Sequence, residues 1–451
     1  MTMDPLRLRP QRRRTGAPGR RALLAGGASL PLMALGLAAC GGATEGGAAP
    51  DLSAELPRAE PGPAEGAGEM VVPFTARMLG VLDESEVNAV CSPLSAQVAL
   101  TMIGMGAEGE TLAQMQEVLG ASMDELAATA NTLSTVLAAV GAQEREAEDE
   151  ERPAPALASL VNGTWLQEGL AVEQAFLEDL ATWFGAGVFE VDFTDDAERA
   201  AAREEINGWV EDSTDGLIEQ LLPEGILRPS TRLVLVNALH LKAAWQKPLT
   251  VDGGRFTTGE GEERSCEMLH GSTGTWYEDE VSRATSLDTY GDDLALALVQ
   301  PTSDLAEVLA SWSGSSGDPS TGLGALLAGL EESSASTQLS VPTFDISWES
   351  SLKELLEELG ITDAFTPAAD FSGVTGAADL MIDEVVQKAV ITVDENGMEA
   401  AAATAVIVGE TSAQVPEREL VLASPFLVVA YERTTLAPLV VGWIGDPTTT
   451  G

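Results

Sequence analysis

Apolar residues recur along this chain with two periods, and the first half favours the longer one. From Phe74 to Leu79 and from Ala96 to Met102 they return every three or four positions, which places them on one side of a helix. Ser92-Pro93 precedes the second run, with Ser92 at the N-cap and Pro93 at the first helical position, where a missing N–H costs nothing. That helix is expected to end near Gly104–Gly106. The same spacing predicts helices over Thr111–Leu119, Met123–Val140, Phe176–Phe184 and Asp195–Glu211, the last a surface helix carrying Ile206 and Trp209. Alternation marks Leu160–Leu166 and Val188–Phe193 as strands. Leu233–Leu239 and Leu294–Val299 are nearly continuous apolar runs, suited to strands buried on both faces. Between them, Gly253–Thr289 reads as short strands and turns. Leu352–Leu359 is an amphipathic helix closed by Gly360, and Phe426–Ala430 with Pro438–Trp443 forms a hairpin of apolar strands. The polar stretches Glu144–Pro155 and Ser311–Gly322 are loops. Helices early and strands late predict an α+β fold rather than alternating βαβ units.

Charge narrows the partners. The chain has 451 residues and a formal net charge of −47, although seven of its arginines fall within residues 1–39 beside one acid, Asp4. The remainder is therefore more acidic than the whole and has only four lysines, Lys242, Lys247, Lys353 and Lys388. Such a surface repels nucleic acid and anionic lipid. Solubility is the favoured reason for the acidity, with attraction of basic partners as the second. Cys91 and Cys266 lack a CxxC or Cys/His framework and read as separate buried thiols. With two histidines, His240 and His270, and neither a GxSxG elbow nor an HExxH pair, a hydrolase is disfavoured.

The first forty residues read as an address. Arg20-Arg21-Ala22-Leu23-Leu24 opens an apolar run that ends in Leu37-Ala38-Ala39-Cys40 and is broken by Gly26, Gly27, Pro31 and Gly36. This resembles a twin-arginine signal joined to a bacterial lipobox, with Sec export as the alternative. The resemblance implies a signal over 1–39, lipidation at Cys40, and a cell-envelope or extracellular location with membrane contact through the anchor alone. Residues 40–69, rich in Gly, Ala, Pro and Glu, read as a flexible tether to a folded domain over 70–451.

The most informative run is Val393-Asp394-Glu395-Asn396-Gly397-Met398-Glu399, continuing through Ala400–Ala403 to Thr404. It follows a strand-like segment, Val386–Val393. Alanines after Glu399 are also good helix formers, so the run alone leaves two readings open. Read as a strand, it would turn Met398, Ala400, Ala402 and Thr404 to one face and Glu399, Ala401 and Ala403 to the other.

In this context the run resembles the reactive-loop hinge of the serpins, and other segments carry the same resemblance in order. They are Asn88–Ser95, Gly106–Thr111, Leu235–Trp245, Val341–Phe344, Leu359–Phe365, Ala369–Gly373, Pro425–Leu427 and Gly442–Pro447. The family resemblance implies a helical N-terminal half, a large central mixed β-sheet with smaller sheets, and a reactive loop near the C-terminus. It implies a suicide-substrate inhibitor of a serine protease, or of a cysteine protease, that is not itself an enzyme, needs no cofactor and acts as a monomer. The alternative is a non-inhibitory surface-binding module on the same fold. Carried onto this chain, the hinge comprises Glu395, Gly397, Met398, Glu399, Ala400, Ala401, Ala402, Ala403 and Thr404, with Gly397 letting the chain bend. Inhibitory members usually carry Thr or Ser where Met398 stands. The polar cluster controlling sheet opening maps to Ser92, Ser95, Asn237 and Gln387, the last in place of the family's histidine, with Trp245 at the top of the sheet. The family's interval from Glu395 puts the scissile bond at Thr411-Ser412. Without Arg, Lys or an aromatic there, an elastase-like or subtilisin-like protease preferring small residues is the expected target.

Overall fold

The computed structural model describes residues 49–81, 87–141, 153–154, 156–214, 216, 218–313, 322–376, 380–398 and 416–449. Three sheets form its framework. The central one runs in the order β11 (Phe344–Ser351), β12 (Glu384–Val393), β13 (Gly397–Met398), β4 (Leu233–Ala244), β2 (Leu157–Gln167) and β3 (Val188–Val191). A second contains β1 (Asn88–Cys91), β16 (Ala437–Ile444), β15 (Phe426–Glu432), β9 (Leu294–Pro301), β8 (Ser282–Asp288) and β7 (Tyr277–Glu278). The third contains β14 (Arg418–Val421), β10 (Thr337–Pro342), β6 (Glu263–Thr273) and β5 (Thr250–Thr257).

Nine α-helices accompany the sheets among the described residues: α1 (Val72–Val81), α2 (Pro93–Gly104), α3 (Gly109–Leu119), α4 (Met123–Ala139), α5 (Gln174–Asp179), α6 (Asp196–Ser213), α7 (Leu305–Trp312), α8 (Leu323–Glu332) and α9 (Lys353–Leu359). Two start at well-formed caps. Ser122 and Glu125 make a reciprocal capping box for α4, and Asp195 accepts from Ala197 and Glu198 N–H at α6. The expected Ser92 cap is corrected: Ser92 holds the N-cap position of α2, but its hydroxyl makes no capping bond.

Strand β4 shows why a continuous apolar run was needed. Leu233, Leu235 and Leu239 enter the main core, while Val234, Val236 and Ala238 enter a second core beneath α6 with Trp165, Phe189 and Ile206. Both faces of the central sheet are therefore covered, and each fully buried Leu or Val contributes roughly 1.5–3 kcal/mol.

Other expectations need correction. The helix expected over Phe176–Phe184 is α5 followed by a single π turn, Leu180–Phe184, that stops at Gly185 in the left-handed region with φ 61°. The short strands expected over Gly253–Thr289 include a long hairpin, β5–β6, paired from Thr250↔His270 to Thr257↔Glu263. Its largely exposed first strand lacks the apolar alternation by which strands are recognised.

The largest correction concerns the tether. Residues 49–69 lie along the body instead of hanging free. Leu52 exchanges backbone hydrogen bonds with Val188 at the outer edge of β3, at 3.0 and 2.8 Å. The Arg58 Nε–H donates to Asn131 Oδ1 on α4 at 2.7 Å, and Gly68 N–H donates to Thr435 at 2.9 Å. Composition suggested disorder because the segment has little apolar surface. Backbone pairing with an edge strand needs none.

Candidate functional site

Two resembling segments far apart in sequence brace each other. Thr111 Oγ1 accepts from Asp370 N–H at 2.9 Å, Asp370 C=O accepts from Glu108 N–H at 2.9 Å, and Gly106 C=O accepts from Gly373 N–H at 3.1 Å. A Cβ on Gly106 would lie 2.3 Å from Val374 Cγ2, so that approach requires glycine.

The seam between β12 and β4 is the distinctive feature of the central sheet. The two strands pair in parallel from Glu384↔Val234 to Lys388↔Ala238, and there their ladder stops. β12 continues to Val393 and β4 to Ala244, so the seam is parted above that point. At its mouth sits β13. Gly397 pairs with Ala244, and Met398 with Ala243 on one side and Val393 on the other, antiparallel to both strands. Met398 is buried, 2% exposed, and lines a small cavity with Leu241, Val390, Ile391, Thr392, Ala430 and Val440.

A tight turn holds this arrangement. Asp394 Oδ1 accepts from Asn396 and Gly397 N–H at 2.7 and 2.9 Å, reversing the chain within three residues. Trp245 secures the turn from β4: its indole N–H donates to Asp394 C=O at 2.9 Å and its backbone N–H to Asn396 C=O at 2.8 Å. Leu249 N–H reaches Glu395 C=O at 2.8 Å. The role expected of Gly397 is thereby corrected. The Asp394 turn makes the bend, and Gly397 serves by lacking a Cβ, which would lie 2.3 Å from Ala243 C=O. Gly397→Ala is expected to unseat Met398. Dilute peroxide should then oxidise Met398 about tenfold faster than in the parent, since exposure governs sulfoxide formation; peptide mass spectrometry measures it.

Lower in the seam lies a row of amides. Gln387, Asn237 and Asn162 are register partners across β12, β4 and β2. Gln387 Nε2–H donates to Asn237 Oδ1 at 2.8 Å and to Ser92 C=O at 2.9 Å, while Gln387 Oε1 accepts from Ser92 N–H at 3.0 Å. Asn237 Nδ2–H then donates to Asn162 Oδ1 at 2.8 Å. Gln387 and Asn237 are both 0% exposed. The structure thus joins three of the four residues expected of the cluster, but Ser92 enters through its backbone. The hydroxyls of Ser92 and Ser95 are buried without a hydrogen-bond partner among the described residues. Asn162 was missed, and a polar residue facing Asn237 across adjacent strands was the only signal for it.

Glu399, Ala400, Ala401, Ala402, Ala403, Thr404, Thr411, Ser412 and Cys40 lie outside the described residues. Cys91 is buried, which pushes its thiol up to about 12, whereas Cys266 is only half-buried, against expectation; both are free thiols. Among the described residues no helix is long and apolar enough to cross a membrane, and no cluster of three or more His, Cys, Asp or Glu could hold a metal ion.

Residues 71–447 match the family model for Serpin (serine protease inhibitor). The chain belongs to the serpin family. Among its relatives, the leukocyte elastase inhibitor of Bos taurus is 30% identical over 378 residues, covering 80% of this chain and 93% of that one. The native-state structure of tengpin, a thermophilic serpin, superposes with a TM-score of 0.70 at 24% identity, covering 86% of this chain and 97% of tengpin. The thyroxine-binding globulin complex with thyroxine superposes at 0.67 with 25% identity, covering 85% and 99%. These neighbours share the fold of this serpin, whose helices and sheets make the α+β architecture expected from its sequence. Membership and its inhibitor relatives support a protease-inhibitor function, with a protease as the class of partner.

Proposed function

We propose that this serpin is a suicide-substrate inhibitor of a serine protease that accepts small residues, elastase-like or subtilisin-like. The observation that carries the reading is the parted seam with Met398 seated at its mouth. In this mechanism the protease serine attacks the Thr411 carbonyl, the Thr411-Ser412 peptide bond breaks with Ser412 leaving as a protonated amine, and Thr411 is left esterified to the protease as an acyl-enzyme. Residues 399–411, released at one end, follow Met398 down the seam. The parallel ladder between β12 and β4 is exchanged for an antiparallel ladder on each side of the new strand, and antiparallel pairing is slightly the more stable per residue. The acylated protease travels with the loop, and distortion of its oxyanion hole and triad stalls deacylation.

The name of the bovine relative, leukocyte elastase inhibitor, supports a small-residue target. The arginine-rich leader and Leu37–Cys40 support export and lipid anchoring at Cys40, with the body working as a monomer at the cell envelope. Incubation with subtilisin or pancreatic elastase is expected to give a covalent adduct that survives denaturing electrophoresis, and loop nicking should raise thermal stability. Cleavage with neither result would refute inhibition and leave a surface-binding module on the serpin fold.

A further inference from the structure

We infer that residues 50–62 are a strap that restrains opening of the central sheet. The inference rests on the proposed opening of the seam. Admitting a strand between β12 and β4 must separate them by about 4.8 Å more than they are now. The two sides of that seam are held differently. β11 and β12 pack on β1, β1 pairs with β16, and α2 and the Ala67–Met70 turn pack on β16. α4 in turn packs on α2 and on that turn. α2 also packs on β4 and β2, and α4 on β2, so the frame these elements make is the surface across which β4, β2 and β3 must slide as a paired unit.

The strap crosses from the sliding unit to the frame. At β3 it is fixed by the Leu52–Val188 pair and by Asp51 Oδ2, which accepts from Glu190 N–H at 2.9 Å. On the frame side, Arg58 donates to Asn131 Oδ1, Asn131 Nδ2–H donates to Ala59 C=O at 3.0 Å, and Gly62 N–H donates to Thr132 Oγ1 at 2.8 Å. Ala59 N–H also reaches Thr182, in the π turn packed on α4, at 2.7 Å. Asn131 is 1% exposed, so its amide is satisfied inside the structure largely by the strap. The link between the two sets of anchors is short and folded by a turn, Leu56 N–H to Ala54 C=O at 3.0 Å. Sliding β3 by a strand's width must undo that turn and then an anchor.

The β3 contact depends on one body residue. A Cβ on Gly187 would lie 2.3 Å from Leu52 C=O and 2.9 Å from Pro50 Cγ, and Gly187 is not in the left-handed region. Gly187→Ala therefore blocks docking without straining its own backbone. The test uses the full chain, Gly187→Ala, Arg58→Ala and the double variant, each mixed with a synthetic peptide of sequence 398–411, with uptake followed by native electrophoresis. Uptake should be about threefold faster in each single variant and about tenfold faster in the double, as expected if weakening the anchors lowers the opening barrier by about 1.4 kcal/mol. The thermal stability of the peptide-loaded form should not change, which a general loss of packing would lower. Equal uptake by the four proteins would overturn the strap and leave insertion standing. No uptake by any of them would overturn both.

Discussion

Met398→Glu is expected to turn the inhibitor into a substrate. The residue occupies the mouth of the seam, 2% exposed, against Leu241, Val390 and Ile391, and no cationic side chain lines that cavity. A carboxylate there faces a burial penalty of several kcal/mol or must stay outside the sheet. If about 3 kcal/mol of that penalty is felt as the loop begins to enter, insertion slows by roughly a hundredfold, while attack on the exposed bond does not. Deacylation then wins the partition. Adduct yield should collapse while cleaved product rises, and Met398→Thr should restore the adduct. An unchanged adduct yield in Met398→Glu would show that Met398 does not lead the insertion.

Gln387→Ala is expected to weaken the native state selectively. It removes the partners of Ser92 N–H, Ser92 C=O and Asn237 Oδ1, all at buried positions. At about 1–3 kcal/mol for each orphaned group, a loss of 3 kcal/mol or more is expected, read as a fall of several degrees in Tm. An inserted strand would separate Gln387 from Asn237 in any case but leave Ser92 beside it, so the loop-cleaved form should lose less, by about the 1–3 kcal/mol of the Asn237 contact. Equal losses in both forms would mean that the amide row is ordinary core. Gln387→His adds a test with a defined sign. A histidine buried there without charge has a folded pKa below the unfolded value of about 6.5, so stability falls as pH drops below that value. The parent has no titrating group at this position and should show no such loss from it.

Much of the fold was legible because burial on two faces leaves a strong imprint. Leu233–Leu239 and Leu294–Val299 read as buried strands for the reason the structure shows, burial of both faces. The inward placement of Met398 was legible, because alternation turns its apolar side chain to the buried face. What escaped was set by backbone geometry. Gly397 is required by the approach of Ala243 C=O, which sequence cannot reveal. Asn162 enters the amide row through register with Asn237, fixed by pairings outside its own segment. The stretch 49–69 docks through main-chain groups, to which composition is blind.

The last strand in the sequence is also an interior one. β16 lies between β1 and β15, with Asn88 opposite Ile444. Asn88 then clasps the tail, accepting from Gly445 and Asp446 N–H at 2.9 and 3.0 Å. During synthesis β1 emerges early and must wait for its partner, some 350 residues later, or roughly 20–70 s at ribosomal speed. In the later part of that interval, once β9 has been made, its apolar edge has no β15 to cover it. Biogenesis is thus a problem of protecting a half-built sheet, and loss of the final dozen residues should be more harmful than loss of a comparable stretch of the N-terminus.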